Sequence, residues 1–222
     1  MTRLAFLCSG GGGNLRFVDH CIRTGILEDL ELVGILTDRV CGAFEWGRHA
    51  GLPALQVDYS RAKNEYLLSA LRDLAPDVIV TAFDRILDSE TVAAFEGKML
   101  NLHYSLLPAF PGTVGPAPVR LALERGCRIL GTTVHRVVPE VDSGPILAQS
   151  ALAPRTGDPF ESTLRRIFRS GAVNLAGTLS RFVATSPETG ADWSYRADLD
   201  CVFSPPVGFT DGVFDERFWA AL

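Results

Sequence analysis

The sequence predicts an α/β protein built on a doubly wound, mostly parallel sheet with helices on both faces. Two observations carry that expectation. Short apolar runs alternate with segments of helical periodicity from the N-terminus to residue 82. One of those runs, Val78-Ile-Val-Thr-Ala82, is continuously apolar, as expected of a central parallel strand covered on both faces. In such folds ligands sit beyond the C-terminal ends of the strands.

The elements follow in order. Leu4–Cys8 reads as a first buried strand rather than a targeting segment, because its apolar run is short and opens onto Ser9-Gly10-Gly11. Asn14 is placed to cap a helix through Phe17, Val18, Cys21 and Ile22, with Gly25 just past its end. Leu30–Thr37 is a second strand, and a helix from Ala43 to Ala50 is stopped by Gly51 and Pro53. A brief strand near Leu55–Val57 precedes a helix carrying Tyr66, Leu67, Leu71 and Leu74, ended by Pro76. After Val78–Ala82 comes the short strand Met99-Leu100. Pro116–Arg125 is a helix closed by Gly126, while Gly131–Val138 alternates like a half-exposed strand and Pro145–Leu152 like another. Both are expected as partly antiparallel additions to the sheet. A long amphipathic helix covers Phe160–Val183 with Leu164, Ile167, Phe168, Leu175, Leu179 and Phe182 inward, and Thr185–Gly190 breaks it. The tail from Trp193 holds two strand-like runs and an aromatic segment, Phe214–Trp219. The division expected is a catalytic domain at 1–185 and a C-terminal extension at 186–222.

Composition narrows the chemistry. With 222 residues, 47% apolar and 21% charged, the chain can bury a full core. No stretch approaches the roughly 20 apolar residues that span a bilayer. A net charge of -5 with no basic stripe argues against nucleic acid and for a small-molecule partner. Five scattered cysteines without a CxxC pair suggest reduced thiols in a cytoplasm. Four histidines without ligand spacing give no metal site.

Ser9-Gly10-Gly11-Gly12-Gly13-Asn14 lies between a strand and a helix, where bare N–H groups and the helix dipole favour an anion. It matches neither GxGxxG nor the Walker pattern. An anion site and a plain flexible turn that lets a substrate approach the main chain both stay open. The run Asn101-Leu-His103-Tyr-Ser105-Leu-Leu-Pro108 is more pointed. Asn101 and His103, two apart on a strand, share a face: an amide donor beside a transferable proton. Asp142, in Val141-Asp-Ser-Gly-Pro145, is the candidate carboxylate to complete a proton-handling site, and also a natural turn residue.

With these runs stand Ser9-Gly-x-Gly-x-Asn14-Leu15, Pro76-Asp77-Val78, Arg85-Ile86-Leu87, Pro111-Gly112, Gly131-Thr132, His135 and Asp142-x-Gly144-Pro145. On these motifs the chain, from Leu4 to about Ala153, resembles the formyltransferases that use 10-formyltetrahydrofolate, and within them the glycinamide ribonucleotide enzymes. The resemblance implies a Rossmann-like fold and transfer of a formyl group from that folate co-substrate to a small-molecule amine, without a metal. It implies Asn101 and His103 as stabilisers of a tetrahedral oxyanion, and Asp142 as the group holding the imidazole. It puts the pterin between Arg85-Ile86-Leu87 and Pro139-Glu140-Val141, and the acceptor near Gly11, Gly12, Gly13 and Asn14, with Ser105 supporting the turn. His135 reads as structural. Three departures concern the acceptor. Gly13 stands where those enzymes carry a serine, and Gly171 in a rough alignment where they carry a glutamate. Thr113–Pro118 lacks their histidines. An amino sugar or a hydroxylated amino acid therefore joins glycinamide ribonucleotide as a candidate acceptor. A formyltetrahydrofolate deformylase and a non-catalytic folate-binding module are the alternatives, and a homodimer stays open.

Overall fold

The apolar runs of the first hundred residues become strands because every second side chain, and in the central strands every side chain, finds a helix to pack on. The computed structural model describes residues 1–183, 193–210 and 212–222. The chain is α/β with a mostly parallel central sheet, and it divides into two units. One comprises Met1–Asn101 and Arg136–Gly144, the other Leu102–His135 and Pro145–Leu222.

In the first unit, β1 (Thr2–Cys8), β2 (Leu30–Thr37), β3 (Ala54–Gln56), β4 (Val78–Ala82) and the start of β5 (Met99–His103) run parallel in the order β3-β2-β1-β4-β5. The interleaved helices are α1 (Gly13–Arg23), α2 (Gly42–His49), α3 (Glu65–Leu74) and α4 (Ser89–Ala94). Two neighbouring positions of β2 show the double winding. A Cβ at Gly34 would press on Leu74 of α3, whereas one at Gly47 of α2 would press on Ile35. Adjacent strand residues point to opposite faces, so α2 and α3 lie on opposite sides. On the α3 side Ala5, Leu7, Leu36, Ile79 and Met99 pack with Leu67, Leu71, Val92 and Phe95. Each such side chain contributes about 1.5–3 kcal/mol when fully buried. Val78, Ile79 and Val80 are buried, as a doubly covered strand requires.

The second unit contains α5 (Ala117–Glu124), β6 (Leu130–Arg136), β7 (Ile146–Leu152), α6 (Phe160–Val183), β8 (Ser194–Arg196), β9 (Cys201–Ser204) and α7 (Glu216–Ala220). β6, β7, β9 and β8 pair antiparallel in that order, as expected for the later additions. The tail is tied in by Arg196, which is 2% exposed. Its guanidinium grips Asp198 at 2.7 and 3.0 Å and donates to the carbonyls of Phe209 and Thr210.

Several expectations need correction. Gly12, not Asn14, caps α1; its φ is +74° and no side chain caps the helix. β6 is buried from Leu130 to His135, not half-exposed. Its threonines alternate between two packed faces, Thr132 bonded to Ser150 and Asn174, and Thr133 to Ser105 and Leu107. In α6, Ile167, Leu175 and Leu179 are buried as expected, but Leu164, Phe168 and Phe182 are only partly so. The buried run from Ser170 to Leu179 is largely of small residues. The periodicity also passed over α4, which is capped by Asp88, whose carboxylate accepts the Thr91 N–H. The break expected at Thr185–Gly190, and the domain boundary with it, lies outside the described residues.

Candidate active site

β5 carries the two residues on which the sequence reading turned. Thr81 of β4 is the register partner of Asn101. The Asn101 amide nitrogen donates to the Thr81 carbonyl at 2.8 Å and to its hydroxyl at 3.1 Å, which fixes the plane of the amide. His103 is 5% exposed, and its Nε2 lies 3.0 Å from the Phe110 carbonyl. A carbonyl only accepts, so Nε2 carries a hydrogen. The loop that presents Phe110 is tied to itself and to β6. Ser105 donates to the Ala109 carbonyl, Thr113 donates to Phe110 at 2.7 Å, and Leu107 N–H donates to Thr133. Ser105 is buried and spends its hydroxyl on the turn, which suits a supporting role.

Asp142 is half-buried in the turn that follows β6. Its φ of +53° is a conformation that aspartate and asparagine tolerate better than most residues. Ser143 N–H donates to the Glu140 carbonyl at 3.3 Å and its hydroxyl to Val141 at 3.1 Å. Gly144 closes the turn, and any Cβ there would collide with the Arg136 carbonyl. Pro139, Glu140 and Val141 are exposed.

The other expected donor loop is fixed residue by residue. Asp84 N–H donates to the Ser9 hydroxyl at 2.9 Å, and Arg85 Nε to Asp38 at 2.8 Å. Ile86 is half-exposed, whereas Leu87 is buried in the core, so only its main chain can face a ligand. Tyr59 donates to the Asp88 carboxylate at 3.0 Å and accepts its N–H at 2.8 Å. Burial pushes the Tyr59 phenol up to about 12, keeping it a neutral donor. Phe83, Leu87 and Val137 lie on one apolar cluster, so the segments leading to 84–88 and 139–142 share a base.

The glycine loop starts from Ser9, whose N–H donates to Ala82. Gly10 accepts from Ala43 N–H at 3.0 Å, and a Cβ on Gly12 would run into Ala43 at 2.9 Å. Gly11 and Gly13 are exposed, while Gly12 and Asn14 are half-buried. Beside the loop, the Asp38 side chain is 1% exposed. Burial raises its pKa, but hydrogen bonds from Arg39, Arg85 and Ser9 outweigh this and bring it to about 2. Gly171 lies within α6, where a Cβ would sit 3.1 Å from Thr132 and Tyr104 and 3.3 Å from Leu102. Among the described residues no His, Cys, Asp or Glu cluster could hold a metal, and no helix is long and apolar enough to cross a membrane.

A family model described as formyl transferase matches residues 2–172. The phosphoribosylglycinamide formyltransferase of Mycobacterium tuberculosis is 37% identical over 173 residues, covering 75% of this chain and 78% of that protein. The chain belongs to the formyl transferase family. Its enzyme class is formyltransferase, and the family's one-carbon donor is 10-formyltetrahydrofolate. The chloroplastic phosphoribosylglycinamide formyltransferase of Arabidopsis thaliana is 33% identical over 176 residues, 74% of this chain; the match spans 60% of that protein's length. Glycinamide ribonucleotide transformylase 1 of Symbiobacterium toebii superposes with a TM-score of 0.75 at 34% identity, covering 82% of this chain and 87% of that one. The family match ends inside α6, before β8, β9 and α7.

Sequence reasoning missed the partners that hold these side chains: Thr81 for Asn101, the Phe110 carbonyl for His103, and Asp38 for Arg85. The first could have been read from Thr81 standing at the end of a strand. The other two are a main-chain atom and a contact between residues 47 positions apart, which leave no local signal.

Proposed function

We propose that this chain moves a formyl group from 10-formyltetrahydrofolate to the primary amine of a small acceptor of glycinamide ribonucleotide type. The observation that carries the reading is the placing of Asn101 and His103 two apart on β5, the amide held by Thr81 and the imidazole by the Phe110 carbonyl. The acceptor amine attacks the formyl carbon. The carbonyl oxygen gathers negative charge, the carbon–N10 bond breaks, and the proton lost by the amine ends on the folate nitrogen. Asn101 donates to the developing oxyanion by exchanging its longer bond, to the Thr81 hydroxyl, for that oxygen. Protonated His103 adds a second donor, each worth on the order of 10²–10³ in rate. Asp142 is the proposed carboxylate of the reaction, favouring the charged imidazole and relaying the proton through a water. Arg85, Ile86 and Leu87 with Pro139, Glu140 and Val141 are the proposed pterin loops. Gly11, Gly12, Gly13 and Asn14 form the proposed acceptor loop.

The names of the relatives support the ribonucleotide acceptor. One observation favours a different amine, such as an amino sugar or a hydroxylated amino acid. Around Gly171, Thr132, Tyr104 and Leu102 leave no space for a glutamate without displacement. The test is to mix the protein with 10-formyltetrahydrofolate and each amine in turn, and to follow tetrahydrofolate formation. Turnover dependent on one amine supports formyl transfer and names the acceptor. Consumption of the folate in water alone makes the protein a hydrolase, and no turnover with any amine defeats the reading.

A further inference from the structure

The Asp38 carboxylate lies at the end of β2, almost fully enclosed, and receives bonds from three directions. Arg39 grips it at 3.0 and 2.8 Å, Arg85 Nε reaches it at 2.8 Å, and the Ser9 hydroxyl bonds to it. Ser9 is the last residue before the glycines, and its oxygen also accepts the Asp84 N–H. Arg85 is the next residue of that same loop. Enclosing a carboxylate is costly unless donors surround it, so this one was placed where it organises several groups at once. Two loops that the chain keeps about seventy residues apart are joined through a single acid.

We propose that Asp38 is a positioning residue for formyl transfer, holding the Arg85–Leu87 loop and the glycine loop in one fixed relation through Arg85 and Ser9. The proposal rests on the reading of Arg85–Leu87 as a donor-binding loop. An asparagine at this position is nearly the same size but turns half of the group into a donor. It would face donors, and Arg85 would be released while Arg39 kept its contact near Asp84 at 3.7 Å. The loop would lose its preset conformation, and the folate would bear the cost of ordering it.

The experiment is calorimetric titration of the protein and of Asp38→Asn with tetrahydrofolate, together with steady-state kinetics and thermal melting. The expected result is a roughly tenfold weaker Kd and a donor KM raised by the same factor, with kcat within about threefold and a modestly lowered Tm that stays well above the titration temperature. Unchanged tetrahydrofolate affinity overturns the proposal, and so does a loss of affinity that arises because the variant is partly unfolded at that temperature. Should Asp38→Asn not fold, Arg85→Gln must give the same donor-side effect, and unchanged affinity there overturns it equally. Where both fold, the double variant is expected to be no worse than either single one, and multiplied losses mean the two residues act independently. If no amine is formylated by the wild type, formyl transfer fails, while the titration still judges the clasp.

Discussion

His103 Nε2 and the carbonyl oxygen of Phe110 stand 3.0 Å apart, a contact that puts a hydrogen on Nε2. The same oxygen accepts from Thr113 at 2.7 Å, so both of its lone pairs are used and the loop cannot rotate away without breaking two bonds. Replacing His103 by asparagine keeps a donor for Phe110 but removes the exchangeable proton. The expected outcome is a fall in kcat on the order of 10²–10³ with tetrahydrofolate affinity within a few-fold, read by single-turnover kinetics and titration.

Asp142 is best probed by asparagine, because the residue has a positive φ that alanine tolerates poorly. Asp142→Asn is expected to lower turnover strongly while retaining folate binding. If affinity falls in step with rate, the carboxylate shapes the turn and does not act in the reaction.

Installing a carboxylate at position 171 of α6 is expected to overpack the helix. Gly171→Glu presses on Thr132, Tyr104 and Leu102 and adds a charge to a buried helix face. A loss of about 1–3 kcal/mol from overpacking is expected before any charge penalty, measured by denaturant unfolding. A stable variant with improved use of glycinamide ribonucleotide would show that the helix can open there.

Arg196→Ala should release the tail. It strands Asp198 and the carbonyls of Phe209 and Thr210, and breaking a buried ion pair from one side typically costs about 3–5 kcal/mol. The readout is a lowered Tm with early proteolysis beyond residue 193. Equal melting of both proteins would show that the aromatic contacts among Phe214, Phe218 and Trp219 hold the segment alone.

Acid stability follows from Asp38. Its folded pKa of about 2 lies below the ordinary 3.8, so its contribution is complete above the ordinary value and disappears as pH falls towards 2. Asp88 is lowered in the same direction: burial raises it, but bonds from Thr91, Asn64 and Tyr59 outweigh that. Unfolding curves between pH 5 and about 2 should therefore show a steeper loss in the wild type than in Asp38→Asn, with the two curves parallel at neutral pH.

The parallel half of the fold was readable because its strands are uninterrupted apolar runs set off by Gly and Pro. The antiparallel half was read less well. β6 sets two adjacent threonines and a histidine among apolar residues, and polar groups that usually mark a wet face here lie on two dry ones, the threonines each with their own hydroxyl partners. α6 was misjudged for the opposite reason: its inner face is lined by serine, glycine, alanine and asparagine, which a search for large apolar residues passes over. Asn101, His103 and Asp142 stood out by residue type and spacing. Their holders, a threonine on a neighbouring strand and a main-chain oxygen, depend on register and loop path, which residue types do not encode.

Beneath α6, Thr132, Ser150, Ser170 and Asn174 bond to one another in a layer with no access to water. Rolling the helix by one position would leave these groups facing hydrocarbon, whereas a purely oily seam would tolerate the slip. The seam thus works as a key, trading some adhesive strength for a unique rotational setting of the helix over its sheet.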